Sequence, residues 1–150
     1  IPVEISWATV FLTACMIFTS IWVNPIIQRI MSHANAGLIG VILFGSALMA
    51  LPFIDNQFYL ISFALMGVGI AIYNGFLPVY LSNAYQNNPQ GQLMGMLVTV
   101  FCLGNLLAAG IGSLLSLLDV KWALLCGAFV SYSAAAIFFH GHYKVKLWQQ

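Results

Sequence analysis

The sequence predicts an all-α, polytopic membrane protein with five transmembrane helices. The chain has 150 residues and is 62% hydrophobic but only 5% charged, whereas soluble domains are about 25% charged. Its apolar runs each approach the length of about 20 residues that crosses a bilayer. The runs are continuous, whereas strands of a membrane β-barrel would alternate polar and apolar residues. Because a segment in lipid must satisfy its own backbone hydrogen bonds, we expect α-helices.

Charged residues mark the ends of the first two segments. The first segment, residues 5–27, begins after Glu4 and ends before the polar stretch around Arg29. The second segment, residues 37–53, is the shortest of the five. It ends at Pro52, because proline removes a backbone donor and interrupts a helix interior.

The remaining three segments follow the same pattern. The third, residues 58–81, begins after the polar connection that contains Asp55. The fourth, residues 93–118, follows a connection rich in Asn, Gln and Pro, which favour turns and loops. The fifth, residues 120–139, is separated from the fourth by a tight turn at Asp119.

Basic residues at the segment ends predict the orientation in the membrane. An odd number of crossings places Arg29 on the same side as Lys144 and Lys146, and Lys121 on the other side. Cytoplasmic connections carry the excess of Lys and Arg. We therefore expect the tail at 140–150 to be cytoplasmic, in a plasma membrane or a bacterial inner membrane.

Small residues recur on the third and fourth segments. The third contains Gly67 and Gly69, followed by Pro78, and this combination predicts a bent or locally loosened helix. Residues four apart share a helix face, where small side chains allow close helix packing. Such rows are Gly91 with Gly95, and Gly104 with Ala108 and Gly112. We expect these small residues, with those of the third segment and Pro78, to serve helix packing or gating.

Residues 24–35, with the sequence NPIIQRIMSHAN, resemble the helix-end loop of the major facilitator superfamily. That pattern runs roughly G-P-L-x-G-R-L-x-D-R-x-G, and Pro25 and Arg29 match it. The copy in the second half of these transporters is often degraded. Other positions depart from the pattern, namely Gln28, Ser32, His33 and Asn35.

A second stretch is similar to the tenth helix, cytoplasmic loop and eleventh helix of the same family. Its residues, in order, are Gly67, Gly69, Pro78, Pro89, Gly91, Gly95, Leu103 and Gly104. The resemblance covers about residues 5–140 and implies the eighth to twelfth helices of a twelve-helix transporter. Since residue 1 is Ile rather than Met, we expect a partial C-terminal half of a longer protein.

The resemblance implies secondary active or facilitative transport of a small, amphipathic or drug-like solute by alternating access. In that family the eighth, tenth and eleventh helices line the cavity, and the ninth and twelfth face lipid more. The polar candidates for the cavity are Thr13, Tyr73, Asn74 and Asn105. For each Asn an interhelical hydrogen bond is an equally good interpretation, and Tyr73 is also compatible with core packing.

The expected partners are the lipid bilayer, a small-molecule substrate and the N-terminal half of the same protein. A formal net charge of +1 gives no reason to expect nucleic acid. No cofactor and no metal are expected, because His140 and His142 alone are too few ligands for structural zinc. The three cysteines lie in apolar segments without metal-ligand spacing and are interpreted as packing residues.

No acidic residue falls within an apolar segment, although ion coupling generally needs an ionisable group at depth. We therefore expect either that any coupling carboxylate lies outside these 150 residues or that the protein is a uniporter. The pattern also shows no catalytic set and favours a protein that is not an enzyme. The alternative to a transporter is a non-transport membrane anchoring or assembly subunit.

Overall fold

The computed structural model describes residues 2–54 and 58–148, with side chains described over 6–54 and 58–142. Regular structure in these ranges is helical and contains no strand. Some charged groups discussed above fall outside the described residues, namely Asp55 and the side chains of Glu4, Lys144 and Lys146.

The described chain is a succession of helices with short breaks. In order they are α1 (Pro2–Phe18), a π-helical turn (Thr19–Val23), α2 (Asn24–Ile30), α3 (His33–Ala50), a 3-10 turn (Leu51–Phe53), α4 (Tyr59–Ala84), α5 (Gln90–Ser116) and α6 (Val120–Trp148).

Five helical stretches are long and apolar enough to cross a membrane. They are Ser6–Ile30, His33–Phe53, Tyr59–Ala84, Gln90–Ser116 and Val120–His142. This confirms the prediction of an all-α membrane protein with five spanning helices. Large apolar side chains lie on the outer faces of these helices; Leu114 is 68% exposed and Phe129 is 73% exposed within the described chain.

The helix ends differ from the predicted segment ends by a few residues. Helix α3 begins at His33 rather than near residue 37, because Ser32 is extended and the helix starts directly after it. Helix α6 continues to Trp148, through most of the tail expected at 140–150. Hydropathy identifies the apolar middle of a span, whereas polar end turns remain helical without contributing to that signal.

Helix α4 has its most extensive packing against α3, through two glycines that meet backbone to backbone. A Cβ on Gly40 would lie 2.8 Å from the backbone N of Tyr73. A Cβ on Gly69 would lie 2.8 Å from the backbone N of Phe44. Real Cβ atoms do not approach other atoms so closely, so this packing requires glycine at both positions.

The opposite face of α4 packs on α1. A Cβ on Gly67 would lie 2.8 Å from the backbone O of Leu12. Successive residues in an α-helix are about 100° apart, so Gly67 and Gly69 point to opposite sides. Helix α4 is therefore held between α1 and α3 by one small residue on each side.

Helices α6 and α5 extend the structure on the far side of α3. The hydroxyl of Ser131 on α6 donates to the backbone O of Val41 on α3 at 2.9 Å. Helix α5 packs mainly on α6 and has only limited contact with α4. None of the residues of α5 is buried within the described structure.

The start of α5 is attached to the end of α4 through Gln90. The hydroxyl of Ser82 donates to Oε1 of Gln90 at 2.7 Å. The amide of Gln90 donates to the backbone O of Tyr85 at 3.4 Å. Gln90 thereby stabilises the turn between α4 and α5.

Candidate functional site

Three of the four predicted cavity residues are exposed on three different helices. The hydroxyl of Thr13 on α1 donates to the backbone O of Thr9, one turn earlier, at 2.9 Å. Asn74 on α4 and Asn105 on α5 are exposed along their spans. A role for these side chains in substrate binding stays a prediction.

Tyr73, the fourth candidate, is half-buried beside α3 and α6. It lines an apolar cavity of about 140 Å³ together with Leu38, Ala135 and Phe138. The family resemblance implies that α3 and α6, as the ninth and twelfth helices, face lipid more than the central cavity. A substrate contact of Tyr73 stays a prediction, and in the described structure the ring takes part in helix packing.

The predicted packing residues fall into two groups. Gly67 and Gly69 lie at the close contacts of α4 described above. Helix α4 continues without a break through Pro78, which is half-buried. On α5 a Cβ would meet no atom within 4 Å at any of the predicted glycines, and Ala108 is exposed, so the described residues leave this row uncovered: Gly91, Gly95, Gly104 and Gly112.

The loop motif forms a helix end followed by a short break. Pro25 is the second residue of α2, directly after the π turn that joins α2 to α1, so its missing N–H removes one helical hydrogen bond from the preceding turn. Arg29 lies in the last turn of α2, where a positive charge stabilises the helix C-terminus. Met31 and Ser32 are extended, and the backbone O of Ser32 accepts from the N–H of Ala36 at 3.0 Å.

A half-open pocket of about 220 Å³, lined by polar and apolar residues, lies beside this motif, between α2, the start of α3 and α4. Ser20, Asn24 and Gln28 line it from one side, and His33 and Phe76 from the others. Sequence analysis did not single out this pocket. The available signal was the recurrence of polar residues every four positions at Ser20, Asn24 and Gln28.

Asn24 joins the first span to α4. Its Nδ2 donates to the backbone O of Ala71 at 3.2 Å. A Cβ on Gly75 would lie 2.6 Å from the same Nδ2, so the glycine provides the space that the amide occupies. The hydrogen bond therefore depends on one amide and one glycine on facing helices.

The π-helical turn of Thr19–Val23 sets the position of Asn24. The N–H of Asn24 donates to the backbone O of Thr19, five residues earlier. Thr19 is only 1% exposed, and its hydroxyl donates to the backbone O of Cys15 at 2.8 Å. A π turn inserts one extra residue into a helix and is frequent at functional sites. Here it changes the direction of every residue that follows it on α2.

The two histidines near the end of α6 have different surroundings. The hydroxyl of Tyr80 lies 3.1 Å from Nδ1 of His142, at hydrogen-bond distance, and the two rings also contact each other. His140 is exposed. Among the described residues no group of three or more His, Cys, Asp or Glu side chains could hold a metal ion.

The comparisons with known proteins agree with the membrane fold. The family model of the Major Facilitator Superfamily matches residues 2–149. Searches of curated proteins and of solved structures gave no match. The family consists of membrane transporters rather than typical enzymes. Since the match covers almost the entire chain, and since the described residues form five apolar helices of spanning length, the chain belongs to the major facilitator superfamily.

Proposed function

We propose that the chain forms the eighth to twelfth helices of a twelve-helix transporter. This transporter moves a small amphipathic or drug-like solute by alternating access, in which one half rocks against the other. The family match supports transport in general. Placement in the second half is supported by the order of three features along the chain: the Arg29 loop motif, the glycines of α4 and the small residues of α5.

The exposed amides of Asn74 and Asn105 carry this proposal. Both lie within spans, where an unpaired amide in hydrocarbon costs several kcal/mol. Lipid therefore cannot be their only neighbour. A water-filled cavity, or further helices of the same transporter, would supply their hydrogen bonds.

The proposed substrate class follows from the surroundings of these amides. The spans that carry them contain hydroxyls and amides but no acidic or basic residue over Tyr59–Ala84 and Gln90–Ser116. A cavity of this composition favours solutes with apolar surface and a few hydrogen-bonding groups. We further propose that the C-terminus is cytoplasmic, in a plasma or bacterial inner membrane, with Arg29 on the same side.

The test is uptake of radiolabelled amphipathic solutes by the full-length protein in proteoliposomes. We expect Asn74→Leu and Asn105→Leu each to lower kcat/KM about tenfold, the equivalent of about 1.4 kcal/mol. Asn83→Leu, at the exposed end of α4, is the matched control and should retain uptake.

Wild-type uptake in both variants would contradict the cavity roles of the two amides. Failure of the wild-type protein to move any solute of the panel would contradict the proposed substrate class. A natural coding sequence that contains only these five spans would instead favour an anchoring or assembly subunit.

A further inference from the structure

Two residues that line the pocket beside α2 each carry a buried polar atom that has no hydrogen-bond partner among the described residues. The two atoms are Oδ1 of Asn24 and Nε2 of His33, and both residues line the pocket of about 220 Å³. A buried polar atom without a partner destabilises a protein, and most such atoms bind protein groups or ordered water. Both atoms therefore need hydrogen-bond partners that the described residues do not supply.

The orientation of the Asn24 amide is fixed by its neighbour on α4. The backbone O of Ala71 can only accept a hydrogen bond, so the group 3.2 Å away must be Nδ2. A flipped amide would place two acceptors against each other. Oδ1 consequently needs a donor that the described residues do not supply.

His33 is held beside the same pocket by an aromatic contact. Its ring centroid lies 5.8 Å from that of Phe76, with the ring planes tilted by 60°. Phe76 is only 4% exposed and belongs to the buried cluster between α3 and α4. The imidazole therefore has a defined position, although its Nε2 has no described partner.

The two atoms select the chemistry of the occupant. Oδ1 of Asn24 needs a donor, whereas Nε2 of a neutral His33 donates or accepts according to its tautomer. A hydroxyl group can do both. A carbonyl cannot donate to Oδ1, and an ammonium group fits only the tautomer in which Nε2 accepts, whereas a hydroxyl fits either tautomer. None of the residues that line the pocket is Asp, Glu, Lys or Arg, so a charged ligand would lack a counter-ion.

We propose that this pocket binds hydroxyl groups, supplied by ordered water or by a hydroxylated solute. A water molecule takes about 30 Å³ of liquid volume, so the pocket has room for several waters or one small polyol. Water as the source is independent of transport. A solute as the source rests on the proposed function.

The first test is nuclear magnetic resonance of the full-length protein in detergent micelles, with labelled histidine rings. Loss of a signal in His33→Gln assigns the ring protons of His33. The exposed residue His140 provides the control, since His140→Gln should leave that signal in place. In a solute-free sample we expect a nuclear Overhauser cross-peak between the His33 ring and water.

Glycerol, added as a hydroxylated probe, distinguishes the two sources. If water is the occupant, the water cross-peak persists as glycerol is added. If the pocket takes a hydroxylated solute, cross-peaks between His33 and glycerol carbon-bound protons replace it. The absence of both kinds of cross-peak would overturn the proposal, whatever the transport assays show.

The second test is thermal unfolding of an apolar variant. In an occupied pocket, Asn24→Leu removes a partner of the occupant and the hydrogen bond to Ala71. We expect the unfolding midpoint to fall by about 2 to 4 °C, and Asn83→Leu should leave it unchanged. A midpoint for Asn24→Leu equal to or above that of the wild type would indicate a dry pocket and overturn the proposal.

Discussion

At the scale of single residues, the space beside each glycine varies sharply along the chain. Gly40 and Gly37 lie one helical turn apart on α3, and both are buried. A Cβ on Gly40 would meet the backbone of α4, whereas a Cβ on Gly37 would meet nothing within 4 Å. The difference arises because Gly37 lines the cavity beside Tyr73. Burial alone therefore does not indicate which glycine is essential.

This difference gives a matched pair of substitutions. We expect Gly40→Ala to lower the free energy of unfolding by about 1 to 3 kcal/mol, because backbone atoms must move apart. Gly37→Ala should be neutral or stabilising by up to about 1 kcal/mol, because alanine is the better helix former. Thermal unfolding of the purified full-length protein measures both. Equal effects of the two substitutions would contradict the packing described for α3 and α4.

Some residue roles could be predicted from the sequence and others could not. The predicted importance of Gly67 and Gly69 rested on their composition and spacing, and both lie at close helix contacts. The role of Asn24 could not be predicted, because its acceptor is 47 residues away in the chain. The direction of the Asn24 side chain also depends on the π turn, which no residue pattern within Thr19–Val23 predicts.

At the scale of helices, polar side chains form a small number of bonds between spans. Ser131 is 8% exposed and donates from α6 to the backbone O of Val41 on α3. Ser133, two residues later, donates instead to the backbone O of Phe129 on its own helix. Serine thus links two helices at position 131, whereas at position 133 it makes only a hydrogen bond within its own helix.

We expect Ser131→Ala to lower the free energy of unfolding by about 0.6 kcal/mol, the mean value for hydrogen bonds between membrane helices. Ser133→Ala should have a smaller effect, because no contact between helices is lost. Denaturation of the full-length protein in mixed micelles provides the comparison. An unchanged free energy of unfolding for Ser131→Ala would contradict a stabilising hydrogen bond between α3 and α6.

Helix number and type were predictable because hydropathy and span length are properties of local sequence. Which helices pack against each other could not be predicted in the same way. Helix α5 has a row of three small residues, Gly104, Ala108 and Gly112, yet α3 and α4 make the most extensive contact. Small residues permit close approach, but the neighbouring helix must be present for the approach to occur.

At the scale of the whole molecule, α1, α4, α3 and α6 form a packed assembly to which α5 is attached at its edge. Residues 98–111 of α5 are exposed throughout. Under the proposed function, these surfaces are covered by the N-terminal half or line the cavity between the halves. The arrangement is consistent with part of a transporter whose remaining helices complete it.

We therefore expect the 150 residues, expressed alone and reconstituted in liposomes, to show no uptake above empty liposomes. Alternating access requires two halves that move against each other. Restoration of uptake by co-expression of the N-terminal half would support the proposal. Saturable uptake by the isolated chain would contradict it.

The glycines on opposite sides of α4 have a mechanical consequence. Where helices meet through long side chains, the chains can change rotamer and the helices can slide past each other. At Gly67 and Gly69 the contact is between backbones, and there is no rotamer to change. Sliding of α4 along α1 or α3 would require backbone atoms to move apart at these glycines, so we expect the three helices to move together.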